Sequence, residues 1–80
     1  MTEDRATTEI KAMGFYPIGA SNWSKGSTIE VSCEMGFEDG RETAGDYWQM
    51  FINPQLEDWA DRHDLYWEWA NPGVLAAYEI

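Results

Sequence analysis

Residues 65–80 read LYWEWANPGVLAAYEI. Two aromatic-rich runs flank Asn71-Pro72-Gly73, residue types that favour chain reversal. In the first run Leu65, Trp67 and Trp69 alternate with Tyr66, Glu68 and Ala70, the period of a strand. A hairpin is therefore predicted. Pairing Ala70 with Leu75, Trp69 with Ala76, Trp67 with Tyr78 and Leu65 with Ile80 puts Leu65, Trp67, Trp69, Ala76, Tyr78 and Ile80 on one face. Tyr66, Glu68, Ala70, Leu75, Ala77 and Glu79 then share the other. Small alanines beside large rings let a face interdigitate, so Trp67 and Trp69 are expected in a core rather than on a docking platform.

The chain upstream extends the same reading. TIEVSCEM, residues 28–35, turns Ile29, Val31, Cys33 and Met35 one way and Thr28, Glu30, Ser32 and Glu34 the other. It reads as a half-buried strand with an acidic outer face. FYPIGASNW, residues 15–23, is a weaker strand, and Pro17 assigns it to an edge or a bulge. DYWQMFI, residues 46–52, reads as a third strand with Trp48, Met50 and Ile52 on its apolar side. Residues 3–13 fit a short helix capped by Thr2, with Ala6, Ile10 and Met13 on one face and Gly14 as its stop. Asn53-Pro54 opens a second helix, lined on one side by Leu56, Trp59, Ala60 and His63. The order is α-β-β-β-α-β-β, an α+β fold with an antiparallel sheet and two short helices on one face. Eighty residues make a single domain, 1–80. The five residues Ile29, Val31, Trp48, Trp59 and Trp67 are expected to be buried.

Charge narrows the classes of partner. Fifteen acids against five bases give a formal net charge of −10. Direct binding to nucleic acid or to an anionic membrane is disfavoured, and a basic protein surface is favoured. The N-terminus MTEDRATTE has no apolar stretch after a basic start, and no run has the length of a membrane span. With one cysteine, no intrachain disulfide can form. A cytoplasmic protein is expected.

No catalytic constellation is legible. Cys33 sits on an apolar face without a neighbouring base and reads as an inert thiol. His63 at a helix end reads as a cap that favours the helix dipole. The loop acids Glu38, Asp39, Glu42 and Asp46 do not match the ligand spacing of a calcium loop. No cofactor, metal or enzymatic turnover is expected. The acids read equally as a solvated surface that keeps the protein in solution or as a contact surface. Glu30 and Glu34 share one strand face, at about 6.7 Å. Glu57, Asp61 and Asp64 follow i, i+4, i+7 beside Asp58, at about 5–6 Å between neighbours. Such separations are comparable with phosphate spacing along a nucleic-acid strand, and rows of this kind suit a basic groove. The candidate partner-binding set is Glu30, Glu34, Glu38, Asp39, Glu57, Asp58, Asp61 and Asp64, with Trp23 or Tyr66 as an aromatic anchor.

Over its whole length the chain resembles the small, acidic, phage-encoded anti-CRISPR proteins. The features that carry the likeness are TIEVSCEM with Glu30 and Glu34 facing outward, and LEDWADRHD with its acidic helix. The resemblance implies an inhibitor that blocks DNA binding by a type I Cas surveillance complex in the host bacterial cytoplasm. It assigns no individual residue a role. The competing expectation is a general protein-interaction module, a phage or host regulator, that binds through an aromatic patch. A small ligand-binding or enzymatic domain is the third possibility.

Overall fold

Residues 65–80 do form a hairpin, and one of its strands becomes the middle of the sheet. The computed structural model describes residues 1–34 and 43–80. Strands β5 (Leu65–Asn71) and β6 (Val74–Glu79) pair antiparallel. β6 also pairs with β2 (Ile29–Ser32), which pairs with β1 (Tyr16–Gly19). The sheet order is β1-β2-β6-β5. β1 lies at an edge and its register shifts between Pro17 and Gly19, a position where a residue without an N–H interrupts no ladder.

The hairpin register differs by one residue from the expected one. Trp69 faces Leu75, Trp67 faces Ala77, Tyr66 faces Tyr78 and Leu65 faces Glu79, while Asn71 faces Val74. The register shifts between Trp69 and Asn71, so Ala70 is the extra residue of a bulge. The cause lies on the far side of β6. There Ile29 faces Ala77 and Val31 faces Leu75. Only the observed register lets Leu75 and Ala77 join Ile29, Val31, Trp67 and Trp69 on one apolar face.

Two helices cover that face. α1 (Glu3–Ala12) starts at Thr2, whose hydroxyl accepts from the Arg5 amide at 3.2 Å. It ends in a Schellman turn: Gly14, at φ +97°, donates to Lys11 O, and Phe15 donates to Ile10 O. α2 (Pro54–Arg62) is capped by Asn53, whose Oδ1 accepts from the Gln55 amide at 2.9 Å. Asn53 Nδ2 donates to Thr43 O, so the same buried side chain ties α2 to the preceding segment. Ala6 and Ile10 of α1, and Leu56, Trp59 and Ala60 of α2, pack with the sheet residues in one core. Trp67 donates its indole N–H to Leu56 O at 2.8 Å and lies 5.8 Å from the Trp59 ring. Ile29, Val31, Trp59 and Trp67 are buried as expected.

The expected third strand does not run straight. Residues 46–52 fold back on themselves as a second hairpin, with β3 (Gly45–Asp46) and β4 (Phe51–Ile52) paired in a separate two-stranded sheet. Asp46 Oδ1 accepts from the amides of Trp48 and Gln49, at 3.0 and 3.4 Å. The Met50 amide donates to Tyr47 O, and Met50 takes the left-handed φ of +53°. An aspartate that satisfies turn amides competes directly with strand extension. As a result Trp48, expected in the core, is exposed. The α+β class stands, with two helices and antiparallel strands among the described residues.

Candidate protein-binding surfaces

The second face of the sheet is not the open acidic surface expected for TIEVSCEM. Glu30 is fully buried there. Its Oε1 accepts from the Asn22 amide at 3.0 Å, and its Oε2 accepts from the Trp23 amide at 2.7 Å and the Ser24 hydroxyl at 2.6 Å. Burial raises the pKa of this carboxyl, and the donors of Ser24, Trp23 and Asn22 outweigh that effect, holding it below its ordinary value. Glu30 is therefore an internal anchor for the 21–27 loop and not a contact residue. Its sequence signal was the donor-rich SNWSKGS just upstream, which supplies what a buried carboxylate needs. By fixing the loop, Glu30 also fixes Trp23, which is 64% exposed.

The other predicted acids divide. Glu34, Glu57, Asp58, Asp61 and Asp64 are exposed. Glu57, Asp58 and Asp61 lie on the outer side of α2, and Asp58 approaches Arg62 Nε at 3.5 Å. Asp64 falls beyond the helix end at φ +57°, so the expected i, i+4, i+7 row breaks after Asp61. Glu38, Asp39 and Glu42 lie outside the described residues. Tyr66 is 42% exposed and stacks on Tyr78, with ring centroids 5.6 Å apart.

The hairpin tip is the surface that strand periodicity concealed. Trp48 is 82% exposed and Met50 87%, with Tyr47 and Phe51 also exposed beside them. The tip is braced from below. The Tyr47 ring meets Trp48 edge-on at 5.2 Å and Trp69 edge-on at 5.6 Å. Gly45 lets the hairpin settle on the sheet: a Cβ there would lie 2.7 Å from Phe51 O and 3.0 Å from the Trp69 ring. Glu34, Asp46, Tyr47, Trp48 and Pro72 line one open pocket at the foot of the tip. Gly73 makes room for the Glu34 side chain, because a Cβ there would lie 2.8 Å from Glu34 Oε1.

Elsewhere Glu9, His63 and Cys33 are engaged in the structure. Glu9 Oε1 accepts from Trp59 Nε1 at 2.8 Å and stands 3.1 Å from His63 Nε2, while Oε2 accepts from Arg5 Nε at 2.8 Å. The hydrogen bonds from Arg5 and Trp59 hold the Glu9 carboxyl at about 2, against an ordinary 4.5. His63 thus faces a carboxylate of α1 rather than Asp61 or Asp64. Burial pushes the Cys33 thiol up to about 12, which leaves little thiolate at neutral pH. Among the described residues, no group of three or more His, Cys, Asp or Glu is placed to hold a metal ion. Nor is any helix among them long and apolar enough to cross a membrane. No protein-family model matches the chain, and no curated protein or solved structure is significantly similar to it.

Proposed function

We propose that the protein acts by binding, without turnover, and that it occupies a basic, nucleic-acid-handling surface of another protein. In its most concrete form it is an anti-CRISPR-like inhibitor that blocks DNA binding by a type I Cas surveillance complex in a bacterial cytoplasm. The observation that supports this reading is the exposed acid row Glu57, Asp58 and Asp61 on α2, on a chain of formal net charge −10. Carboxylates at helical spacing offer a basic groove the same sign of charge as a nucleic-acid backbone. The test is competition between labelled duplex DNA and this protein for a purified surveillance complex at two salt concentrations. The expected result is displacement of DNA that weakens as salt rises, and that Asp61→Lys reduces strongly. Undiminished binding by the folded Asp61→Lys protein would reject the charge-led reading.

A second reading, an interaction module led by aromatic contact, is favoured by the exposure of Trp48 and Met50 at the hairpin tip. Its mark is binding that changes little with ionic strength.

A further inference from the structure

The pocket at the foot of the β3–β4 hairpin combines three features. It is lined by two aromatic rings, Tyr47 and Trp48, and by two carboxylate side chains, Glu34 and Asp46. The ring with the greatest exposure, Trp48, is held by a turn whose amides are tied to Asp46, and by Tyr47 wedged between Trp48 and Trp69. The turn places Met50, a residue with a Cβ, in the left-handed region, a conformation that costs energy and tends to persist where it serves a site. A large indole kept in water on a braced support, beside anionic groups, is complementary to a cation that can both stack and pair with carboxylates.

We propose that this tip is an arginine-docking site, in which a guanidinium from a basic protein segment stacks on Trp48 and pairs with Glu34 and Asp46. This deepens the reading of the protein as a binder of a basic protein surface and rests on it. Arginine fits better than lysine because its planar, weakly hydrated group stacks on aromatic faces while donating sideways to carboxylates. A base of a nucleic-acid strand would also stack, but the phosphates of that strand would meet Glu34, Asp46 and a net charge of −10. A second copy of the chain would bring the same repulsion and only five basic residues.

The experiment is a titration of the isotope-labelled full chain, followed through its backbone amides and the indole N–H signals of its five tryptophans. The probe is the peptide acetyl-Gly-Arg-Gly-Arg-Gly-amide, with the lysine and citrulline peptides as counterparts. Trp48 and the amides of residues 46–51 should shift saturably with the arginine peptide, less with lysine and hardly at all with citrulline. Trp48→Ala should weaken binding by about three- to tenfold. Glu34→Gln combined with Asp46→Asn should do the same, and Asp46→Asn keeps an oxygen for the Trp48 and Gln49 amides, so the turn is retained. Shifts confined to the Glu57–Asp61 face, with Trp48 unmoved, would overturn the docking site and leave the charge-led function standing. An equal response to citrulline would overturn the arginine assignment. Trp48 signals that move with protein dilution alone would assign the tip to a second copy instead. No response at any position would overturn this inference and count against the basic-partner reading with it.

Discussion

The 65–79 and 45–52 hairpins are both aromatic-rich and alternating, yet the first buries Trp67 and the second holds Trp48 in water. Trp67 lies under α2 with its indole N–H bonded to Leu56 O, whereas Trp48 is 82% exposed. The difference is in what each strand has beside it. β5 pairs along its length with β6, and β6 with β2, so the apolar face of Trp67 continues into that of Ile29 and Val31. Among the described residues β3 and β4 pair only with each other, two residues apiece, with a turn closed by Asp46 between them. Alternation states which residues share a face. Whether that face becomes core depends on a neighbouring strand that alternation in one segment does not report.

Truncation should separate the two hairpins most sharply. Trp67→Ala removes a core ring and an internal hydrogen bond, and should cost about 3–5 kcal/mol in urea denaturation. For a domain of this size that is a large share of total stability. Next comes Glu30→Ala, which strands the amides of Asn22 and Trp23 and the Ser24 hydroxyl. A cost of about 2–3 kcal/mol is expected, with the Trp23 fluorescence environment altered. An unaffected melting curve would return Glu30 to the surface.

Gly45→Ala tests how the exposed hairpin is seated. The added methyl meets backbone at Phe51 O, so the strands must part, and a loss of about 1–3 kcal/mol is expected. The chemical shifts of Trp69 and Tyr47 should change with it. Acid titration probes the link between the helices. Because the folded Glu9 carboxyl sits near 2, below its ordinary 4.5, its stabilising contribution is complete above 4.5 and is lost as pH falls toward 2. Glu9→Gln should therefore flatten the stability curve within that window. The smallest effect belongs to Trp48→Ala, which should alter stability by less than about 0.5 kcal/mol.

Much of the architecture was legible because local rules and tertiary demands agreed. Thr2, Gly14 and Asn53-Pro54 marked helix ends through hydrogen-bonding chemistry that needs no distant partner, and the structure uses them so. The register of the 65–79 hairpin was not legible from that hairpin alone, since β2 selects which face of β6 is buried. Glu30 was misplaced for a related reason. Strand alternation identified its face correctly, but it does not report that the 21–27 loop just upstream folds back over this face and donates to the carboxylate. The exposure of Glu57, Asp58 and Asp61 was readable because the helix shows its polar side to solvent. The hairpin tip was hidden because DYWQMFI alternates like a strand while its Asp46 closes a turn.

The division of labour between a buried and a displayed tryptophan is open to direct measurement by hydrogen exchange at the five indole N–H groups. Trp67 and Trp59, bonded to Leu56 O and Glu9 Oε1, should exchange slowly, and Trp67 should approach the rate set by global unfolding. Trp48 should exchange at close to the rate of free indole. A protected Trp48, or a Trp67 that exchanges as fast as Trp48, would contradict the account.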